Sequence, residues 1–234
     1  MPGNEQADLK AAKKLAHHAC ASSALNQFAV STNHRWIGIA AFGGWILIVC
    51  SGLGVLVSFE NSPGVAESPA IWWPSDSRIG RAENRATLVM LAHPHCPCTG
   101  ASLRDLELLM ARLPGRLLAH VLFVEPAGAP ADWETSDLWD QAAAIRDVHV
   151  AWDIGGVEAS RFRASTSGHV VVYSAQGRLL FNGGITPSRG HSGDNAGRSA
   201  IVSALTGVPG GPARGFVFGC SLVDDRQKPV ETIR

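Results

Sequence analysis

The amino-acid sequence predicts an α/β domain that follows a single transmembrane helix, and two observations carry this prediction. Residues 36–59 form an apolar segment without one charged side chain. Residues 85–207 alternate short apolar runs of strand length with patterns of helical periodicity. The 234-residue chain has zero formal net charge, which gives no indication of nucleic-acid binding or of a strongly acidic partner.

The apolar segment, from Trp36 to Phe59, is long enough to cross a membrane as a helix. At about 1.5 Å per residue it exceeds the roughly 30 Å hydrocarbon core of a bilayer. It is longer than the core of a signal peptide and follows a polar leader, so we expect an uncleaved anchor. Basic residues precede it and acidic residues follow it, so the positive-inside rule predicts a cytoplasmic N-terminus and an extracytoplasmic domain, periplasmic in a bacterium.

The sequence on either side of this segment divides by composition. Residues 1–35 have little bulky apolar content, so we expect a mostly disordered tail. Residues 60–84 have the composition of a linker, in which Ile71–Pro74 would dock on the domain or at the membrane surface. The folded domain is predicted over 85–207, and residues 208–234 form a C-terminal tail.

Each element of the domain is predicted from its apolar spacing. The first strand, Thr87–Ala92, is the continuous apolar run expected of a central strand. Leucines at helical spacing predict the helix that follows over 101–113, until Pro114-Gly115 ends it. Two alternating runs around Ala175-Gln176-Gly177 predict a hairpin. The other strands are predicted at 117–124, 148–152, 169–174 and 178–182, and the other helices at 136–146, 157–164 and 194–206.

The first strand and the first helix are joined by the motif His93-Pro94-His95-Cys96-Pro97-Cys98-Thr99. Proline favours the first position of a helix, which makes Cys96 the N-cap and places Cys98 in the first turn. A thiolate at an N-cap faces unpaired N–H groups, so its pKa falls, and a protonated His93 or His95 would lower it further. Cys96 is therefore the candidate nucleophile, with its thiol exposed and that of Cys98 turned inward.

Two cysteines are candidates for the resolving thiol, Cys98 in the helix and Cys220 in the tail. A bridge between Cys96 and Cys98 would be strained, and Cys220 reaches the motif only if the tail folds back over it. Cys20 and Cys50 lie before and inside the anchor, and we expect both to be inert.

The order of elements, with the reactive motif after the first strand, resembles the thioredoxin-like superfamily, and above all its membrane-anchored extracytoplasmic branch. The resemblance covers roughly residues 85–207 and implies a three-layer α/β/α sandwich with a mixed sheet. The sequence departs from the family pattern at two points, since Thr99 stands at the position of the second cysteine and Ser167 or Gly168 at that of the cis-proline. The resemblance also places the loop with Arg189 and His191 beside the reactive cysteine. Because this loop leads to a helix N-terminus, it is a candidate site for an anion or a peptide backbone; a solvated loop capped by Asp194 is the alternative.

Together these features predict a membrane-anchored thiol–disulfide oxidoreductase that acts on protein thiols or disulfides and needs no cofactor. One alternative is a Cu(I) chaperone, because Cys96, Cys98 and His93 or His95 are soft ligands, with Cys220 or His191 to complete the shell. The other alternative is a binding module that keeps the fold without the redox chemistry.

Overall fold

A computed structural model of the chain describes residues 35–130, 133–134, 136–208 and 213–222. Residues 1–34, which include Cys20 and all of the predicted disordered tail except Arg35, lie outside these ranges. The predictions about the tail and about Cys20 therefore stay predictions. The chain divides into two compact units, one ending at Val57 and one beginning at Ser58. The elements, in order, are α1 (Arg35–Glu60), β1 (Ala86–Ala92), α2 (Pro97–Arg112), β2 (Leu117–Glu125), α3 (Asp137–Ala143), β3 (Val148–Ile154), α4 (Val157–Arg161), β4 (His169–Tyr173), β5 (Leu179–Gly183) and α5 (Ala196–Thr206).

Helix α1 is, within the described part of the chain, the one helix that is long and apolar enough to cross a membrane, by its 26-residue length and its composition. Its uncharged run begins directly after Arg35 and ends before Glu60. An apolar helix near the N-terminus is the common property of membrane anchors and signal sequences.

The five strands form one mixed sheet in the order β3-β2-β1-β4-β5. Strand β1 lies at the centre of the sheet, as its unbroken apolar run predicts, and all seven of its residues are buried. It pairs in parallel with β2, which pairs in parallel with β3, and it pairs antiparallel with β4. Strand β5 returns antiparallel to β4 as the second arm of the predicted hairpin.

Helices cover both faces of the sheet, which confirms the predicted three-layer α/β/α sandwich with a mixed sheet. On one face α2, α3 and α5 enclose a core that includes Met90, Leu106, Phe123 and Ile201. The opposite face carries a smaller core around Phe162, which ends the short helix α4. Burial of these side chains, at about 1.5–3 kcal/mol each, supplies most of the free energy that holds the layers together.

The segment 60–84 packs on the domain and does not span open space as a free linker. Trp73 lies edge-on to the rings of Phe162 and Tyr173, with centroids 5.2 and 5.3 Å away. A second contact is the antiparallel bridge between Trp72 and Arg178. Of the two surfaces expected for the tryptophans, the structure therefore shows docking on the domain, where Trp73 completes the smaller core.

Several helix boundaries differ from the predicted ones: α2 already begins at Pro97, α3 ends at Ala143, and the changes at α4 and α5 have identifiable local reasons. Helix α4 ends at Arg161, since Arg163 adopts a left-handed conformation, with a φ of 52°, that a helix does not continue through. The N-cap of α5 is Asn195, whose side chain accepts from the N–H of Arg198 at 2.8 Å. The expected cap, Asp194, instead pairs with the guanidinium of Arg198 at 2.8 Å.

Candidate active site

The Cys-Pro-Cys motif lies where the central strand β1 passes into α2. Cys96 is the N-cap of α2 with extended backbone angles, and Pro97 occupies the first helical position, as predicted. Both thiols are covered, because Cys96 is 2 % exposed and Cys98 is 8 % exposed. The expectation that Cys96 presents an exposed thiol is therefore wrong, and the reason is the C-terminal segment that lies over it.

That segment brings Cys220 to the motif. The Sγ atoms of Cys96 and Cys220 lie 2.7 Å apart, although 124 residues separate them in the chain. A disulfide bond measures about 2.05 Å, so the two sulfurs need to move only slightly to join. Cys220 itself is an exposed residue, whereas Cys96 is buried beneath it.

The C-terminal segment is held against the loop before β4 by backbone pairing. The N–H of Ser167 donates to the carbonyl of Cys220 at 2.8 Å, and the N–H of Leu222 donates to the carbonyl of Ser165 at 3.0 Å. Gly219 permits this approach, because a Cβ at that position would stand 2.0 Å from the Ser167 carbonyl oxygen. The side chain of Leu222 is 1 % exposed and joins the smaller core, which fixes the segment beyond Cys220.

The environment of the three thiols moves their pKa values in opposite directions. Burial alone would raise the pKa of Cys96, but hydrogen bonds from the Cys220 thiol and from the backbone N–H groups of Cys220, Cys98 and Thr99 outweigh it and lower the pKa. Burial raises the pKa of Cys98, and the neighbouring Cys96 thiolate raises it further. Partial burial and the hydrogen bond to Cys96 raise the pKa of Cys220 to about 12. Of the three thiols, Cys96 is thus the one that ionises most readily.

Thr99, at the position of the second cysteine in the family pattern, is a buried hydrogen-bonding residue. Its Oγ1 donates to the carbonyl of His93 at 2.9 Å and lies 2.8 Å from Oγ of Ser167, which accepts from the N–H of His93 at 2.9 Å. This small network ties the motif to the loop before β4. Throughout the described ranges no peptide bond is cis, including those at Ser167 and Gly168.

Gly168 supports the same junction through its backbone. Its φ of +81° lies in the left-handed region, and its N–H donates to the carbonyl of Leu91 at 2.8 Å. A Cβ there would stand 2.7 Å from Oγ of Ser102 in α2. Where the resemblance would place a cis-proline, this chain has Ser167 and Gly168. Ser167 hydrogen-bonds to the C-terminal segment, and Gly168 leaves room for the side chain of Ser102 in α2.

The two histidines of the motif face Trp133 and each other. The ring centroids of His93 and His95 lie 4.9 and 5.3 Å from that of Trp133. A ring nitrogen of His95 lies 3.1 Å from the Trp133 carbonyl, and the N–H of His95 donates to Nδ1 of His93 at 3.1 Å. The groups that lower the pKa of Cys96 include the Cys220 thiol and the backbone N–H groups of Cys220, Cys98 and Thr99.

Arg189 lies beside the thiols, as the resemblance implies, whereas His191 is turned into its own loop. The Arg189 guanidinium donates to the carbonyls of Gly219 and Ser62, the latter at 3.0 Å, and its charge lowers the pKa of Cys98 against the effect of burial. Its guanidinium carbon also stacks 5.0 Å above the ring of Phe59. His191 is exposed, with Nδ1 2.8 Å from the carbonyl of Arg189.

The copper alternative, as predicted from the sequence, calls on three ligands around one ion: Cys96, Cys98 and one of the two motif histidines. Among the described residues no group of three or more His, Cys, Asp or Glu side chains is placed to hold a metal ion. The set Cys96, Cys98 and His95 is not assembled, because the ring of His95 lies against Trp133. Cys50, the remaining described cysteine, is exposed on α1.

The contribution of Ser167, Ser165 and Gly219 to this site was not predictable from the sequence. Their role depends on pairing between segments more than fifty residues apart, which leaves no local periodicity. One indication was present in the sequence. The apolar run Phe216–Phe218 before Gly219-Cys220 has the composition of a short extended segment that packs against another part of the chain.

Comparison with known proteins shows a similarity of fold and does not show a family. No protein-family model matches the chain, and no curated protein matches it either. A hypothetical protein of Sinorhizobium meliloti 1021 is 16% identical, with a TM-score of 0.53 over 67% of this chain and 96% of that chain. An uncharacterized conserved protein of Geobacillus kaustophilus is 16% identical, with a TM-score of 0.50 over 70% of this chain and 93% of that one. The pneumococcal exposed lipoprotein thioredoxin of Streptococcus pneumoniae TIGR4 is 17% identical, with a TM-score of 0.35 over 53% and 86%.

Proposed function

We propose that this chain is a membrane-anchored, extracytoplasmic thiol–disulfide oxidoreductase whose redox couple is the pair Cys96 and Cys220. The observation that carries the proposal is the 2.7 Å contact between their sulfurs at the N-terminus of α2. The pKa of one member is lowered and that of the other is raised, so the two thiols differ in how readily they form the thiolate that thiol–disulfide exchange requires. The reaction needs no cofactor.

The couple interconverts between a dithiol and an internal disulfide by exchange with a protein partner. In one direction a partner dithiol becomes a disulfide, while the Cys96–Cys220 bond is reduced by two electrons and takes up two protons. In the other direction a partner disulfide is reduced and the internal bond forms. Cys98 takes no part in this scheme, since its pKa is raised by burial and Cys220 already occupies the position next to Cys96.

The location outside the cytoplasm rests on α1 and on the chemistry of the pair. The basic residues before α1 and the acidic residues after it favour a cytoplasmic N-terminus. A disulfide couple between two chain segments is stable in oxidising compartments and is kept reduced in the cytosol. In the Cys96→Ser variant, where the internal disulfide cannot form, a membrane-impermeant thiol reagent added to intact cells should therefore label Cys220; labelling only after lysis contradicts the proposed topology.

A redox titration of the full chain in detergent tests the activity. The protein is equilibrated in buffers of reduced and oxidised glutathione, the thiols are trapped with an alkylating reagent, and disulfides are mapped by mass spectrometry. We expect a reversible Cys96–Cys220 disulfide in the wild-type chain and in Cys98→Ser, and none in Cys96→Ser or Cys220→Ser. Absence of any reversible disulfide across the titration would exclude the proposed function.

A further inference from the structure

The two sulfurs of the proposed couple differ sharply in access from solvent. Cys96 is 2 % exposed, and it lies behind the segment that carries Cys220. Cys220 is exposed, on a segment without regular secondary structure at the surface of the domain. Thiol–disulfide exchange requires the attacking sulfur to reach the attacked one, so accessibility decides where a partner enters.

We propose that partner thiols exchange at Cys220 and that Cys96 is the leaving thiolate. This inference rests on the proposed function, because it describes how the Cys96–Cys220 disulfide reacts. It reverses the order that the sequence suggests, in which Cys96 in the motif meets the partner and a second cysteine resolves.

The step balances as an ordinary exchange. A partner thiolate attacks Sγ of Cys220 in the oxidised form, a partner–Cys220 disulfide forms, and the bond between Cys220 and Cys96 breaks with its electron pair on Cys96. A second thiolate of the partner then attacks the partner sulfur of that mixed disulfide, and Cys220 leaves and is protonated. The two thiols of the partner have been oxidised to a disulfide, with the loss of two electrons. Exchange with the disulfide of a second protein then oxidises Cys96 and Cys220 and restores the internal bond.

The surroundings of the leaving sulfur favour this direction of attack. Exchange is faster when the departing thiol has the lower pKa, and Cys96 is the thiol whose pKa is lowered. The N–H groups of Cys98 and Thr99, at the first turn of α2, face the charge as it develops. Attack at Cys96 would instead expel Cys220, whose pKa is raised to about 12.

The attachment of the segment keeps the reaction reversible. Val217 and Leu222, on either side of Cys220, are 0 % and 1 % exposed and hold the segment to the domain. The mixed disulfide on Cys220 therefore stays beside the Cys96 thiolate. Cys96 expels the partner again whenever the second partner thiol is absent, which limits dead-end adducts.

The test asks which sulfur carries the first adduct. A full-length variant that keeps only Cys96 and Cys220 is oxidised, and the internal disulfide is verified by mass spectrometry before the reaction begins. Reduced glutathione is added in small excess, the reaction is stopped by acid at early times, and tryptic peptides are analysed. Trypsin cleaves after Arg104 and Arg214, so the two cysteines lie on different peptides.

We expect the early glutathione adduct on the Cys220 peptide to exceed that on the Cys96 peptide by about tenfold or more. An adduct on Cys96, or equal amounts on both, overturns the inference while leaving the redox couple intact. Failure to form the internal disulfide in the first step instead refutes the proposed function. The wild-type chain, treated in the same way, controls for any change of fold in the variant.

Discussion

Replacement of Gly219 by alanine should separate Cys220 from Cys96 without touching either thiol. The added Cβ would stand 2.0 Å from the carbonyl oxygen of Ser167 and 2.9 Å from its carbonyl carbon. Both are backbone atoms beside a buried loop, so they do not yield as the end of a flexible side chain would. The segment that carries Cys220 must therefore move away from the loop before β4.

The size of the effect follows from the displacement. A carbon–oxygen contact relaxes at about 3.3 Å, so the segment has to shift by roughly 1.3 Å. The bonds of Ser167 to Cys220 and of Leu222 to Ser165, now 2.8 and 3.0 Å, would then exceed hydrogen-bond length. Two backbone hydrogen bonds at about 1 kcal/mol each give about 2 kcal/mol, or a roughly thirtyfold lower effective concentration of Cys220 at Cys96.

The assay is the equilibrium constant of the Cys96–Cys220 disulfide against glutathione, measured for the wild type and for Gly219→Ala. We expect the variant to form the internal disulfide about thirtyfold less favourably. Gly215→Ala is the matched control, because it lies on the same segment and its Cβ would meet its nearest atom at an ordinary 3.5 Å. An equilibrium constant equal to that of the wild type in Gly219→Ala would refute the role of this backbone pairing.

Three further predictions concern the same junction. Cys220→Ala removes the thiol that donates to the Cys96 thiolate, so the pKa of Cys96 should rise in an ultraviolet titration of thiolate absorbance; an unchanged midpoint speaks against the contact. Thr99→Val removes the hydroxyl next to Ser167 and should lower the free energy of unfolding by about 1–2 kcal/mol, with Thr99→Ser losing less; equal losses would assign the effect to packing. Burial lowers the pKa of His169, so the unfolded chain binds a proton that the folded chain does not, and stability should fall below about pH 6.5. His169→Gln should flatten that fall in urea unfolding at two pH values, and parallel profiles would contradict the assignment.

The fold was predictable because its elements leave local patterns. The unbroken apolar run of β1 marks a strand that is buried on both faces, and the structure places it at the centre of the sheet. The turn at Ala175-Gln176-Gly177 marks the hairpin of β4 and β5. Element ends were less predictable, since the end of α4 depends on the left-handed backbone at Arg163, which no periodicity announces.

Of the candidate site, only the position of Cys96 at the start of α2 was predictable from the sequence. Proline after a cysteine indicated the N-cap, and the structure shows Cys96 there. Burial of that thiol was not predictable, because it depends on where a distant segment lies. Cys98 and Cys220 are both candidates for the resolving thiol in the sequence, and nothing in the spacing of the motif distinguishes them.

The position of the second cysteine of the pair decides which thiol at a helix N-terminus is exposed to solvent. When the second thiol lies one turn further along the same helix, the cap thiol is outermost and meets the partner first. Here Thr99 fills that inner position as a hydrogen-bonding residue, and the second thiol arrives from outside on the C-terminal segment. The cap thiol is therefore the inner of the two sulfurs, 2 % exposed, and Cys220 is the accessible one. In the proposed exchange this arrangement places the first contact with a protein partner at Cys220 and the departing sulfur at the N-terminus of α2.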